Sequence, residues 1–389
     1  MSGLIVAVVA GTGATGRKAR TVNVPLLDLK AQHAPLKAQL MQAVEQVLES
    51  GQFVGGPLVR QLEQALAAHS GCAAGVGVSS GTDAILSVLM ALGIGAGDEV
   101  ITAPFTFFAT AGCIWRAGAR PVFVDIEPDT FNLDPTKIAA AITPRTKAIL
   151  PVHLYGQMAE MDAIMDLARA RGLDVIEDAA QAVGAAYKAR QAGSIGTAGC
   201  LSFYPTKNLG GFGDGGLILT QDAALAERLR ILRDHGQSPT YYYKWIGGNF
   251  RLDSLQAALL LVKLPHLDSW AKRRRAHAAR YAALLAGCRG VVTPRVRDYN
   301  VHAYHQYVIR AQRRSELQAF LKAQGVGTGV YYPLCLHEQE CFKPLGLSRG
   351  AFPQAERAAD EVLALPVYPE LTDPQIDYVA AKIREFYGS

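Results

Sequence analysis

Residues 148–152, Ala148-Ile149-Leu150-Pro151-Val152, are apolar at every position. A strand with one face in water alternates apolar and polar residues, so an unbroken run marks a strand covered on both faces, as in a parallel sheet packed between helices. Working outward, comparable short runs recur at Gly75–Val78, Glu99–Thr102, Pro121–Val124, Asp174–Ile176, Leu201–Tyr204 and Gly216–Leu219. Helical patterns such as Thr82–Leu92, Ala159–Arg171 and Ala223–Arg233 lie between them. This alternation predicts an α/β fold with a mostly parallel, seven-stranded sheet sandwiched by helices. A long helical stretch from Asp253 toward Leu285, interrupted at Pro265, leads to a smaller α+β domain, with strands at Tyr307–Arg310 and Thr328–Tyr331 and helices at Ser315–Ala323 and Gln354–Leu363. The predicted organisation is an N-terminal extension (1–22), a large domain (23–265) and a small C-terminal domain (266–389).

The chain has 389 residues, 50% hydrophobic and 19% charged, with a formal net charge of +5. That suits a large core plus a second domain, and a mild preference for phosphorylated anions rather than a nucleic-acid binder. The densest basic run, Lys272-Arg273-Arg274-Arg275, reads as a solvated helix face. Six scattered cysteines without a CxxC pair, and no His/Cys cluster at zinc spacing, predict reduced thiols, no metal site and a cytoplasmic setting. The apolar stretch Leu4–Ala10 is too short to span a membrane and lacks the basic residues of a secretory signal.

Gly11-Thr-Gly-Ala-Thr-Gly16 matches GxGxxG, the fingerprint of a dinucleotide-binding turn. Its context fails. The crossover helix that should follow meets Pro25 within about two turns. The acidic strand expected about 20 residues on would fall in Lys30–Leu36, a loop entering a helix. Residues 1–22 read instead as an extension.

Ligands of an open α/β sheet gather at the carboxyl ends of its strands. After the first predicted strand come Ser79-Ser80-Gly81-Thr82-Asp83, opening a helix: free N–H groups, a hydroxyl and a helix N-terminus, suited to an anion. After the second comes Phe107 among aromatics, after the fifth Asp178 and Gln181, and after the sixth Lys207. Pyridoxal phosphate needs such a set. Lys207 would bond its aldehyde as a Schiff base, the amine being made nucleophilic by burial and neighbouring positive charge. Asp178 would keep the ring nitrogen protonated, and Gln181 would bond the phenolate oxygen. Gly81, Thr82 and Ser202 would hold the phosphate, and Phe107 would stack on the ring. Each residue alone has a plainer reading, a loop lysine, a helix cap or a core aromatic; together they favour the cofactor.

At this point the chain resembles the DegT/DnrJ/EryC1/StrS family of sugar aminotransferases, which share the aspartate-aminotransferase-like fold (fold type I). The resemblance runs from Val24 to near the C-terminus. It rests on SSGTDAI (79–85), GDEVITAPFTFFAT (97–110), PVFVDIEPDTFNLDP (121–135), ITPRTKAILPVHLYGQ (142–157), VIEDAAQAVGA (175–185), LSFYPTKNLGGFGDGG (201–216), DHGQ (234–237), NFRLDSLQAA (249–258), TGVYYPL (328–334) and ERAADEVLALPVYPEL (356–371). It implies the same cofactor roles for Lys207, Asp178, Gln181, Gly81, Thr82, Ser202 and Phe107. It further implies that Asn249 reaches the cofactor phosphate of a partner subunit, so that the site is shared in a homodimer, and that His235, Arg251 and Tyr331 line a sugar pocket. Two features depart from the pattern: the N-terminal extension, and Phe250 where some relatives acting on 3-keto sugars carry Ser.

The resemblance implies a two-stage transfer, from L-glutamate to the cofactor and then to the ketone of a nucleotide-linked sugar. The motifs look closest to relatives that aminate C3 of UDP- or dTDP-hexoses for lipopolysaccharide or deoxyaminosugar biosynthesis, with a 4-keto sugar as the alternative. Three rivals compete. A deoxysugar dehydratase would carry His at position 207. A regulator that kept only the fold would not need the intact Lys207, Asp178, Gln181 and Thr82. A nicotinamide oxidoreductase would have to be built on Gly11–Gly16.

Overall fold

The computed structural model describes residues 22–388, so Leu4–Ala10 and the Gly11–Gly16 turn lie outside the described residues. The central sheet holds β1 (Ala74–Val78), β2 (Glu99–Thr102), β3 (Arg120–Phe123), β4 (Thr146–Ile149) and β5 (Asp174–Asp178). A short hairpin follows, β6 (Ala186–Tyr187) and β7 (Arg190–Gln191), and the sheet resumes with β8 (Ala198–Ser202) and β9 (Gly216–Thr220). The strand order is β1-β9-β8-β5-β4-β2-β3. Only β9 runs against its neighbours, β1 and β8; the other pairings are parallel. Every residue of β2, β8 and β9 is buried, as an apolar run covered on both faces requires.

Two apolar layers cover the sheet. Leu62, Leu66, Ile149, Ile164 and Leu217 belong to one. Ile85, Leu89, Ile114, Ile176 and Leu229 belong to the other. All seven predicted strands form, Glu99–Thr102 with its predicted ends and the others with at least one end shifted. The run from Ala148 leaves the ladder at Ile149 because Pro151 has no N–H to donate; Val152 makes only an isolated bridge to Asp178. Strand β5 continues through Glu177 and Asp178, and β8 starts three residues before Leu201 and ends at Ser202, which leaves Phe203 and Tyr204 beyond its end.

Helix Ser254–Lys263, a 3-10 turn around Pro265 and helix Leu267–Leu285 lead out of the large layer. Beyond them come β10 (Val291–Val292), β11 (Asn300–Val301), which pairs with β6, β12 (Tyr307–Ala311) and β13 (Val362–Leu365). The small sheet has the order β10-β12-β13. Its core includes Tyr281, Tyr307, Leu321, Val379 and Ile383, and Val24 packs there too, pairing with Val326. Two expectations are corrected here. Thr328–Tyr331 is not a strand: Gly329 alone bridges to Ala364. The helix expected to end at Leu363 ends at Glu361, and Val362-Leu-Ala-Leu365 forms β13. A short apolar run suits either period, and the open edge of β12 decides. No helix among the described residues is long and apolar enough to cross a membrane.

Candidate active site

The carboxyl ends of β1, β5 and β8 open on one cavity of about 620 Å3. After β1, Ser80 caps helix Gly81–Ala91, its hydroxyl oxygen accepting from Asp83 N at 3.0 Å. The Ser79 and Ser80 hydroxyls donate to Asp83 Oδ2 at 2.6 and 3.0 Å, which keeps that carboxylate occupied beside the helix start. A Cβ on Gly81 would lie 2.8 Å from Ser202 Cβ, so a side chain there would fill the space between the two strand ends. Gly216 likewise admits Ser80 O, 2.4 Å from where its Cβ would stand. Gly81, Thr82 and Ser202 thus line the cavity beside a helix N-terminus, an arrangement suited to a phosphate.

Asp178 ends β5 and is 5% exposed. Thr110 Oγ1 donates to its Oδ2 at 2.8 Å and Ala180 N to its Oδ1 at 3.2 Å. Burial pushes the carboxyl above the usual range; the Thr110 and Ala180 hydrogen bonds and the Lys207 charge oppose this without reversing it. A cationic ring nitrogen beside it is the partner such a buried acid lacks. Lys207 follows β8 in a turn closed by its own N–H donating to Tyr204 O at 2.8 Å. Burial lowers its pKa to about 8. The expected neighbouring positive charge is not a cause: the charge acting on Lys207 is that of Asp178, which raises the pKa. Gln181 is fixed at both ends, Oε1 accepting from Tyr155 N at 2.8 Å and Nε2 donating to the Tyr332 hydroxyl at 3.0 Å. Phe107, 55% exposed, borders the cavity with its ring 6.2 Å from that of Tyr332.

One cavity therefore gathers Gly81, Thr82, Phe107, Asp178, Gln181, Ser202, Lys207 and Tyr331. His235, Asn249 and Arg251 are not among the residues lining it. They lie on the surface segment after helix Ala223–Leu232, where Asn249 bridges to Asp234 and Arg251 pairs with the Asp234 carboxylate. Sequence reasoning missed Thr110, Tyr332, His305 and Arg274. Tyr332 and Thr110 stand inside the quoted TGVYYPL and GDEVITAPFTFFAT and Arg274 inside the basic run, whereas His305 carried no signal of its own. Arg274 corrects the reading of the basic run: it is 2% exposed and lines the cavity, while Lys272 and Arg273 are exposed as expected. Among the described residues no cluster of His, Cys, Asp or Glu is arranged to hold a metal ion.

The residues fit pyridoxal phosphate: an amine kept partly neutral, a buried carboxylate, a fixed amide, a glycine-floored anion cradle and an exposed aromatic ring. Relatives agree. A "pleiotropic regulatory protein" of Geobacillus stearothermophilus is 55% identical over 94% of this chain and 99% of its own. A UDP-N-acetyl-3-dehydro-alpha-D-glucosamine 3-aminotransferase of Acidithiobacillus ferrooxidans is 44% identical, covering 93% of this chain and 97% of its own. A UDP-2-acetamido-2-deoxy-3-oxo-D-glucuronate aminotransferase of Pseudomonas aeruginosa is also 44% identical, covering 92% and 99%. Among solved structures, DesV of S. venezuelae superposes with a TM-score of 0.92 at 44% identity, covering 94% of this chain and 99% of DesV. NtdA of Bacillus subtilis, solved with bound cofactor PMP, gives 0.86 at 32% identity, covering 96% and 87%. Residues 35–384 match the model of the DegT/DnrJ/EryC1/StrS aminotransferase family, and with the cavity this establishes that the chain belongs to that family of pyridoxal-phosphate-dependent aminotransferases.

Proposed function

We propose that this enzyme moves an amino group from L-glutamate to the C3 ketone of a UDP- or dTDP-linked sugar, in a homodimer whose subunits share their active sites. The observation that carries the reading is the meeting of Lys207 and Asp178 in one cavity beside the Gly81–Ser202 cradle. The bound cofactor supplies an aldehyde for amine exchange and a ring that delocalises the electrons left behind when a proton departs. Lys207 Nζ would hold the cofactor's aldehyde and, as a free amine, would take up and return the proton at the Cα of the donor. Asp178 would face the positive ring nitrogen, Gln181 and Phe107 would hold the ring, and Gly81, Thr82 and Ser202 would bind the phosphate.

The C3 preference draws on the two aminotransferase relatives whose names specify a 3-oxo UDP sugar. The Phe250 ring packs on the apolar layer that includes Ile85 and Leu229, and like its neighbours Asn249 and Arg251 it does not line this subunit's own cavity. The shared site draws on the surface position of Asn249 and on exposed apolar side chains such as Met41, Phe53, Phe212 and Ile246, which a second copy would cover. His235, Arg251 and Tyr331 are assigned to the sugar end of that composite site.

The test is a screen of keto nucleotide sugars with L-glutamate, following mass gain and, by NMR, the carbon aminated; a 4-keto acceptor used in preference overturns the C3 assignment. The holoenzyme should absorb visible light, and Lys207→Ala should lose covalently held cofactor. Cofactor still fixed to the variant by borohydride would remove Lys207 from its role. A regulator, the reading suggested by the name of the Geobacillus relative, would show no glutamate-dependent half-reaction.

A further inference from the structure

The cavity continues beyond Lys207 to a wall formed by Arg274, His305 and Gln306, which the roles assigned above leave unused. Arg274 lies on helix Leu267–Leu285. Its Nη1 donates to the carbonyl oxygens of Val367 at 2.7 Å and Tyr304 at 3.1 Å, with His305 O at 3.4 Å. This ties the helix to two separate segments of the small domain. That structural task occupies one of the three guanidinium nitrogens. Among the described residues the hydrogen bonds of Arg274 all come from Nη1, leaving Nε and Nη2 free to donate, and the acid that acts on it, Glu370, does so without a hydrogen bond. Burial lowers its pKa to about 10, so the group is still a cation at neutral pH, and Glu370 acts on it only through space.

A buried cation with spare donors is costly unless an anion meets it. In the same wall His305 Nδ1 is buried without a partner, and Gln306 carries an amide whose Nε2 can donate to an anion. His305 lies within the electrostatic reach of both Lys207 and Arg274, so this wall is close to the reacting amine. Leu26, Leu365 and Val367 give the same region an apolar surface suited to methylene groups.

We propose that Arg274, assisted by His305 and Gln306, binds a carboxylate of the amino-acid donor. This rests on the aminotransferase reading and adds a donor subsite to it. Charge decides between the available anions. One guanidinium, with Glu370 already acting on it through space, can balance at most one further carboxylate, whereas a nucleotide diphosphate would bring two or more charges to a single cation. The fork left by Nε and Nη2 matches the two oxygens of a carboxylate.

The test uses the holoenzyme, Arg274→Lys and Gln306→Leu. Glutarate, a dicarboxylate without an amine to transfer, reports binding by calorimetry, and single-turnover absorbance reports each half-reaction. Lysine keeps the charge and can still bond Val367 O but cannot form the fork. The expected result is that Arg274→Lys weakens glutarate and L-glutamate about tenfold or more, and Gln306→Leu severalfold, with the keto-sugar half-reaction changed less than about twofold. L-glutamine as donor separates the two carboxylates: loss for both amino acids assigns Arg274 to the α-carboxylate, and loss for L-glutamate alone to the γ-carboxylate. Unchanged glutarate binding in either soluble variant overturns the proposal, as does loss confined to the sugar half-reaction. Failure of the wild type to accept an amino group from any amino acid is a different result, and sinks the aminotransferase reading itself.

Discussion

His153 Nε2 lies 2.8 Å from Glu177 Oε2, with both side chains fully buried one residue from Asp178. Ala159 N donates to His153 Nδ1 at 3.2 Å, so the imidazole carries its proton on Nε2 and gives it to Glu177. Glu177 also accepts the N–H groups of Gly193, Ile195 and Gly196 at 2.9, 2.6 and 2.7 Å. Burial pushes its carboxyl up, but the His153 bond and these N–H groups outweigh that and hold it below the usual range. Since side chains alternate along a strand, Glu177 anchors β5 to the 193–196 turn while Asp178 faces the cavity.

Glu177→Gln should therefore destabilise the enzyme by about 3 kcal/mol at neutral pH, because an amide cannot replace a carboxylate among so many donors. The sign with pH follows from the lowered value. The stabilisation is complete above the ordinary carboxylate pKa and is lost as pH falls through the folded one. Urea unfolding of both proteins at neutral and acid pH should show the gap closing in acid; a constant gap would mean that Glu177 is not ionised in the fold.

The sheet was legible because strands buried on both faces leave unbroken apolar runs, and the meeting of Gly81, Thr82, Asp178, Gln181, Ser202 and Lys207 in one cavity was legible because strand ends are where such folds bind ligands. Strand ends were not, since Pro151 and the pairing of β8 with β9 act through neighbours. Val362–Leu365 suits either a helix or a strand, and only the open edge of β12 decides. Arg274 was hidden for a related reason. Within a run of four basic residues nothing local marks the one that turns inward, and the carbonyls of Tyr304 and Val367 that hold it are distant in sequence.

Asp178→Asn should keep the cofactor bound, since the cradle at Gly81 is untouched, yet slow the glutamate half-reaction by roughly a hundredfold or more. Asparagine can still accept from Thr110 but supplies no negative charge opposite a protonated ring nitrogen. Single-turnover absorbance measures this directly. A rate within a few-fold of wild type would show that Asp178 does not face that nitrogen.

Gly81→Ala places a methyl 2.8 Å from Ser202 Cβ, closer than side-chain carbons approach. One strand end must shift, and the phosphate cradle with it. Cofactor affinity, titrated by absorbance into cofactor-free protein, should fall about tenfold. Adding Ser202→Gly should recover part of the loss by making room, though one hydroxyl is then missing. No loss in the single variant would place the phosphate elsewhere.

Burial disfavours the charged form of Lys207 and brings its pKa to about 8. The amine is neutral, and able to attack an aldehyde, above that value rather than above the usual lysine range. The rate at which cofactor-free enzyme captures pyridoxal phosphate should rise with pH and level off beyond about 8, as stopped-flow absorbance would record. A midpoint near that of an exposed lysine would mean that the site is more open to water than the cavity around Lys207 implies.

The proposed shared site makes a prediction that no single variant can mimic. Lys207→Ala and Asn249→Ala homodimers should each be impaired, the first because it lacks the amine and the second because each cofactor loses a contact from the other subunit. Dissociated, mixed and reassembled, the two chains form heterodimers in which one site carries both lesions and the other neither. Random reassortment makes about half of the dimers mixed, so activity should return to roughly a quarter of the wild-type level. Activity equal to the average of the two parents would show instead that Asn249 serves its own subunit's cavity, a result its surface position beside Asp234, away from the residues that line that cavity, argues against.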